Sequence, residues 1–178
     1  MGTYELARSG LVGLVADRPG SGKSTAARHL QLSYGFQSTA IGDAVKRELD
    51  SMLRVHGLKY NETTKERFRD GLIWWTTFRL RTDPDHWIRA TLSTLAPGSP
   101  HVVSDVRFPD EADYIRALDG ILIRIVRHSV PKHRGATELA MDDYECEATV
   151  YNDRNDGGAR MCDQLNTVLY QHGVLRQL

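Results

Sequence analysis

The segment Pro19-Gly20-Ser21-Gly22-Lys23-Ser24-Thr25 brings two glycines, a lysine and hydroxyl side chains together, a combination suited to holding a polyphosphate. Glycine lets the backbone approach phosphate oxygens with its N–H groups turned inward. A helix opening directly after the loop adds the positive end of its dipole. Lys23 would then reach the β- and γ-phosphates of ATP, and the Ser24 hydroxyl would ligate Mg²⁺. The whole run from Pro19 to Thr25 is the expected nucleotide-binding loop. The G-x-x-x-x-G-K-[ST] pattern asks for glycine at position 17, where this chain has Asp17. An anion turned towards phosphates would oppose the loop's purpose, so Asp17 is expected to point outwards.

A second group of charges follows the apolar run His101 to Ser104. Asp105, at the end of that run, can hold Mg²⁺ through water, so Ser24 and Asp105 form the expected metal-organising pair. Arg107 offers a planar fork to a phosphate. Between Gly120 and Thr137 the chain carries Arg124, Arg127, Lys132 and Arg134 and no acid. With Pro131 and Gly135 and no helical periodicity, this stretch reads as a lid over bound phosphates, with Arg127 and Arg134 as its contacts. A solvated loop face is the plainer reading of the same charges. Trp74, Trp75 and Phe78 either pack in a core or offer a ring for a base to stack on. His29, His56, His86 and His172 have no metal-ligand spacing. Cys146 and Cys162 form no C-x-x-C pair and read as reduced thiols.

The elements that would position these residues alternate. Ser9 to Ala16 reads as a buried strand running into the glycine loop, with a helix from Thr25 to Tyr34 behind it. A short strand over Phe36 to Ile41 follows, then a helix capped by Asp43 and running to Val55. Thr63 to Arg81, polar and rich in aromatic residues, reads as helical, and Pro84 as a helix start. After the turn Pro97-Gly98-Ser99-Pro100 come a strand to Ser104, a helix from Pro109 to Leu118 and a strand from Ile121 to Val126. Glu147 to Tyr151 is a last strand, before an amphipathic helix beyond Gly157-Gly158. Strands alternating with helices predict an α/β domain with a parallel sheet of about five strands and helices on both faces.

The totals narrow the function classes. Lys and Arg together equal Asp and Glu together, 23 of each, so no global field recruits nucleic acid or an acidic membrane. The apolar run Gly10 to Ala16 is too short to span a bilayer and leads straight into the glycine loop, so it is not expected to be a signal peptide. The expectation is a cytoplasmic enzyme acting on a small molecule.

With these residues in view, the chain resembles the deoxynucleoside monophosphate kinases, the phage-type branch of the P-loop nucleotide kinases. The segment Ser104-Asp105-Val106-Arg107-Phe108-Pro109-Asp110-Glu111 is similar to that family's S-D-x-R-F-x-x-E signature. Gly42-Asp43-Ala44-Val45-Lys46 resembles its (A/G)-D-x-x-K element, and Asp83-Pro84-Asp85-His86-Trp87-Ile88 its D-P-D-x-W-(V/I) element. Thr137-Glu138 stands where the family often has Ser-Glu, and Asn152-Asp153 resembles the turn near which kinases of this fold hold adenine. The resemblance runs from about residue 10 to 169. It implies one kinase domain over 1–178, with a monophosphate-binding helical region at 43–95 and a lid at 127–142. It implies transfer of the ATP γ-phosphoryl group, with Mg²⁺, to a deoxynucleoside 5′-monophosphate. Asp43, Lys46, Arg67, Trp75, Arg107 and Glu138 are then the candidate acceptor contacts. Lys23, Asp105, Arg107, Arg127 and Arg134 are the candidate catalytic residues, and Asn152 and Asp153 the candidates beside the adenine. The register of Arg67, Arg69, Arg79 and Arg81 is open. A kinase for another small acceptor and a nucleotide-dependent switch protein stay as alternatives, and a homodimer is left open.

Overall fold

Every residue of the apolar run Leu11 to Val15 is buried, which requires a strand covered on both faces. The computed structural model describes residues 4–6, 10–16, 18–61, 63–96, 98–131 and 140–177. In chain order these form β1 (Tyr4–Leu6), β2 (Leu11–Val15), α1 (Lys23–Tyr34), β3 (Gln37–Thr39) and α2 (Ile41–Val55). A 3₁₀ turn (Lys65–Phe68), α3 (Arg69–Thr82), α4 (His86–Leu92), β4 (His101–Val106) and α5 (Pro109–Ala117) follow. The chain ends with β5 (Ile121–Val126), β6 (Ala148–Tyr151), α6 (Ala159–Gln171) and β7 (Leu175–Gln177).

β2 is the middle strand of a five-stranded parallel sheet of order β3-β4-β2-β5-β6. The fold is therefore α/β, a parallel sheet of five strands with helices packed against it, as the alternation of strands and helices predicts. From β2 the chain crosses to one side of the sheet and later returns on the other. Such a switch point opens a crevice beyond the carboxyl end of the middle strand, where the glycine loop begins. Val12 and Leu14 of β2, Ile121, Ile123 and Ile125 of β5, and Val102 of β4 pack against Ala26 and Leu30 of α1 and Met161, Leu165 and Leu169 of α6. Full burial of each large aliphatic side chain here contributes about 1.5–3 kcal/mol. β1 and β7 form a separate antiparallel pair, which the sequence reading did not include.

The chain divides into two compact units, residues 1–39 with 95–178, and residues 40–94. In the second unit α2 and α4 pack through Ile41, Ala44, Val45 and Leu49 on one side and Trp87 and Ile88 on the other. Asp43 is not the cap of α2, contrary to the sequence reading. Ala40 is, because starting the helix at Ile41 places that side chain on the buried face; Asp43 sits in the first turn, where a carboxylate suits the helix dipole. Likewise α4 starts at His86 with Asp85 as its cap, two residues beyond Pro84. The helical stretch expected over Thr63 to Arg81 consists of a 3₁₀ turn running into α3. Trp74 and Phe78 are exposed, so the core reading of these rings fails for both; Trp87 is the tryptophan of this unit's core. No helix among the described residues is long and apolar enough to cross a membrane.

Candidate active site

The glycine loop is held from beneath. Ser21 is 1% exposed; its hydroxyl donates to the Arg18 carbonyl at 2.7 Å, and its own carbonyl accepts a bond from Asn152 Nδ2 at 2.9 Å. Gly22 has φ 115°, and a Cβ there would lie 2.5 Å from Asn152 Nδ2, so backbone conformation and space both require glycine. α1 starts at Lys23 with no acid in its first turn, which leaves its N-terminus open to an anion. The loop lines a cavity of about 570 Å³ together with Arg127, Asn152, Arg154 and Gly158, a volume in the range of small-ligand sites.

Lys23 also faces a second, narrower cleft of about 70 Å³, shared with Arg18 and Arg107. Three cationic residues thus line one cleft beside the glycine loop. The turn from β4 into α5 aims Arg107. Between Gly13 and Val15 of β2 the facing strand β4 advances from Val103 to Val106, so an extra residue bulges out at Ser104–Asp105. Ser104 ties back to the Thr39 carbonyl at 3.2 Å. Glu111, buried in the first turn of α5, accepts bonds from the backbone N–H groups of Arg107 at 2.8 Å and Phe108 at 3.1 Å. Burial pushes the Glu111 carboxyl up to about 7; the two N–H bonds oppose the rise and the nearby Asp105 adds to it. Ser24 and Asp105 present hard oxygen donors. Among the described residues no group of three or more His, Cys, Asp or Glu could hold a metal. That donor set suits Mg²⁺ bound mainly by nucleotide phosphates rather than by a protein cage.

The residues after β5 are fastened at two points. Arg18 donates to the carbonyls of Val130 at 2.6 Å and His128 at 3.2 Å. Asp153 accepts from His128 N at 2.6 Å and Nδ1 at 2.7 Å, and these bonds hold its carboxyl below the ordinary aspartate value. Arg127, at the cavity wall, makes a long 3.4 Å contact to the Gly20 carbonyl. Residues 127–130 are therefore stitched to the phosphate loop and to the turn after β6. Asp153, expected beside the adenine, is engaged with His128 instead, and Arg154 and Asn155 take the cavity-lining position. Arg124 donates to the carbonyls of Met141 at 2.6 Å and Tyr144 at 2.7 Å, a structural use of one charge from the basic stretch. Asp17, Arg134, Thr137 and Glu138 lie outside the described residues.

The remaining candidates belong to the helical unit. Asp43 and Lys46 pair with each other at 2.8 Å, and Arg67 is exposed. Trp75 lies under the Arg79 guanidinium, 4.7 Å from ring centroid to Cζ, and its buried indole N–H finds no acceptor among the described residues. Arg79 and His86 both hold Glu48. Burial alone would raise the Glu48 carboxyl, but the bonds from His86 and Arg79 outweigh it and keep it below its ordinary value. Arg79 thus has a structural partner, whereas Arg81 is exposed on the opposite side of α3.

Sequence reasoning missed Arg18, the positioning role of Glu111 and the tie from Asn152 to Ser21. Glu111 had a local signal, since an acid at the third helical position commonly reaches back to the N–H groups that precede a helix. Arg18 and Asn152 act through partners more than a hundred residues away, as the separations of 112 and 131 residues to Val130 and Ser21 record, and no local pattern reports that.

No family model matches the chain. The chain is similar to a protein of Acanthamoeba polyphaga mimivirus described as a "putative deoxynucleotide monophosphate kinase", with 32% identity over 146 residues, 67% of this chain and 75% of that one. Among solved structures it resembles TT1252 from Thermus thermophilus, at 13% identity and a TM-score of 0.52 over 90% of this chain and 96% of that one. It also resembles the dephospho-CoA kinase from Campylobacter jejuni, at 14% identity and a TM-score of 0.50 over 91% and 98%. At such identities the structural likeness speaks for the fold alone.

Proposed function

The chain belongs to the deoxynucleotide monophosphate kinase family, and from that premise we propose that it transfers the ATP γ-phosphoryl group to a deoxynucleoside 5′-monophosphate. The observation that supports this reading is that Lys23 and Arg107 line one cleft beside the glycine-loop cavity. A triphosphate alone needs the loop and its lysine. A second phosphate brought up to it adds negative charge that further cations must neutralise.

In the reaction an oxygen of the acceptor phosphate attacks the γ-phosphorus, the bond to the β–γ bridging oxygen breaks, and ADP leaves. The acceptor is already an anionic nucleophile, so no side chain need act as a base; the protein orients the reactants and neutralises charge. The N–H groups of Gly20 to Lys23 and the Lys23 ammonium bind the donor phosphates. Arg107, held by Glu111 through its own N–H, faces the charge that develops between donor and acceptor. Arg127 takes donor phosphate at the cavity wall, and Arg134 is proposed to join it from the lid. Asn152 supports the loop, and Arg154 and Asn155 flank the rest of the nucleotide. Asp43, Lys46, Arg67 and Trp75 are proposed to take the acceptor, together with Glu138. Ser24 and Asp105 would hold Mg²⁺, which when bound offsets phosphate charge and fixes phosphate geometry.

A coupled assay of ADP formation tests the proposal. The acceptors are dTMP, dGMP, dCMP and dAMP, their ribose counterparts, sugars and dephospho-CoA. ADP release that depends on a deoxynucleoside monophosphate supports the reading. Release only with a sugar or a coenzyme precursor, or at one rate with no acceptor, contradicts it.

A further inference from the structure

The segment from Met141 to Glu147 belongs to no helix or strand, yet Met141 is only 3% exposed. Backbone outside regular structure still needs hydrogen-bond partners, and here two arginines supply them. Arg124 of β5 donates to the carbonyls of Met141 and Tyr144, and the Tyr144 N–H closes a turn onto the same Met141 carbonyl at 3.2 Å. Arg116 of α5 donates to the Tyr144 hydroxyl at 2.8 Å, to the Glu145 carbonyl at 2.6 Å and to Glu147 at 2.7 Å. Its guanidinium also lies over the Tyr144 ring, 4.8 Å from the centroid. The Tyr144 hydroxyl donates in turn to Asp113. Burial, then that bond, push the hydroxyl up to about 12, so it keeps the proton it donates. Glu147 extends the tie to the Leu122 N–H of β5 at 2.7 Å.

This clasp sets where Met141 lies. Met141 lines the narrow cleft shared with Arg18, Lys23 and Arg107, and Val106 is another of its apolar walls. A cleft of about 70 Å³ with cationic donors is roomy and polar enough for water. Water there competes with the acceptor: its oxygen attacks the γ-phosphorus, the bond to the β–γ bridging oxygen breaks, and ADP, inorganic phosphate and a proton leave. An apolar side chain that displaces such water removes the competitor and strengthens the pull of the cations on the phosphate. Methionine, unbranched and polarisable, suits an irregular gap of this kind.

We propose that Met141 is a fixed, water-excluding wall of the transfer cleft, and that Arg116, Tyr144 and Arg124 are the residues that position it. Met141 thereby sets how much of the γ-phosphoryl group reaches the acceptor and how much is lost to water. It stands at the end of the stretch expected to form the lid, but its ties run to β5 and α5. The proposal rests on the kinase reading, which makes this cleft the place of transfer.

Release of labelled phosphate from [γ-³²P]ATP and Mg²⁺ without any acceptor tests it, with circular dichroism to verify that each variant of the full chain is folded. Met141→Ala should raise this hydrolysis about fivefold or more, and raise the share of label lost to water when a deoxynucleoside monophosphate is present. Met141→Leu, which keeps an apolar side chain of similar volume, should stay close to the wild type. Tyr144→Phe keeps the ring but loses the hydroxyl's two bonds, so it should raise hydrolysis less, and add nothing in the Met141→Ala background. A side chain that served stability alone would lower hydrolysis and transfer together and raise neither. The proposal is overturned if folded Met141→Ala hydrolyses ATP no faster than the wild type, or if Met141→Leu leaks as much as Met141→Ala. Should Met141→Ala fail to fold, a folded Tyr144→Phe with wild-type hydrolysis overturns it in the same way. A wild type that transfers to no deoxynucleoside monophosphate refutes the kinase reading instead, while the response of acceptor-free hydrolysis to Met141→Ala still decides whether the wall excludes water.

Discussion

Replacing Glu111 by glutamine should remove a pH dependence that this one carboxyl imposes on folding. Glu111 is 5% exposed, and burial is the main cause that lifts it from its ordinary 4.5 to about 7. A folded-state value above the unfolded one means that the folded protein holds the proton more tightly. The stability tied to the protonated form is therefore complete below about pH 4.5 and is lost as the pH rises through about 7. That interval, at about 1.36 kcal/mol per pH unit, is worth about 3 kcal/mol. Against a net stability of about 5–15 kcal/mol, such a change is easily read. Glutamine keeps an oxygen for the N–H groups of Arg107 and Phe108 but has no proton to lose, so the turn survives while the titration disappears. Carboxyls held below their ordinary values, such as Glu48 and Asp153, lose their contributions only at lower pH. Urea unfolding at steps from pH 4.5 to 8.5 reads the effect. Wild-type stability minus that of E111Q should fall by about 3 kcal/mol with rising pH and level off above about pH 8. A difference constant to within about 0.5 kcal/mol over the whole range would refute the claim that Glu111 is buried as a costly charge.

Lys23→Ala should leave circular dichroism unchanged and reduce phosphoryl transfer by about a hundredfold or more, since the ammonium meets charge that develops in the transition state; near-normal turnover by folded mutant would contradict the reading. Asn152→Ala strands the Ser21 carbonyl without its buried donor, so urea titration should find a loss of about 1–3 kcal/mol and calorimetry a weaker ATP complex. Arg127→Ala should lower kcat by about tenfold with a smaller change in ATP affinity. Arg18→Ala should lower kcat as well, but add little in the Arg127→Ala background, because Arg18 fixes the carbonyls around Arg127; strictly additive effects would mean that Arg18 does not act through Arg127.

The glycine loop between β2 and α1 was legible because its residues are contiguous, with glycines, lysine and hydroxyl in seven residues behind an unbroken apolar strand. The β4-to-α5 turn was legible for the same reason, Asp105, Arg107 and Glu111 falling within seven positions. Strand order was not, because β2 pairs with β4 and β5, whose approach depends on crossovers that hydrophobic pattern does not encode. The bond between Asp153 and His128 was not legible, because His128 lies 25 residues earlier on another strand's exit. β1 and β7 are three residues each, too short for alternation to register. The aromatic stretch of α3 defeated the reading in another way: helical spacing alone cannot tell a core stripe from an exposed one, and only the packing of Trp87 under α3 decides which tryptophan is inside.

The measurement that bears most directly on the central claim follows the label from [γ-³²P]ATP into product, using the full chain with Mg²⁺ and each of the four deoxynucleoside monophosphates. The account predicts labelled deoxynucleoside diphosphate formed one-for-one with ADP, little labelled inorganic phosphate, and loss of both products in Lys23→Ala. Label appearing only as inorganic phosphate, whichever deoxynucleotide is present, would contradict it.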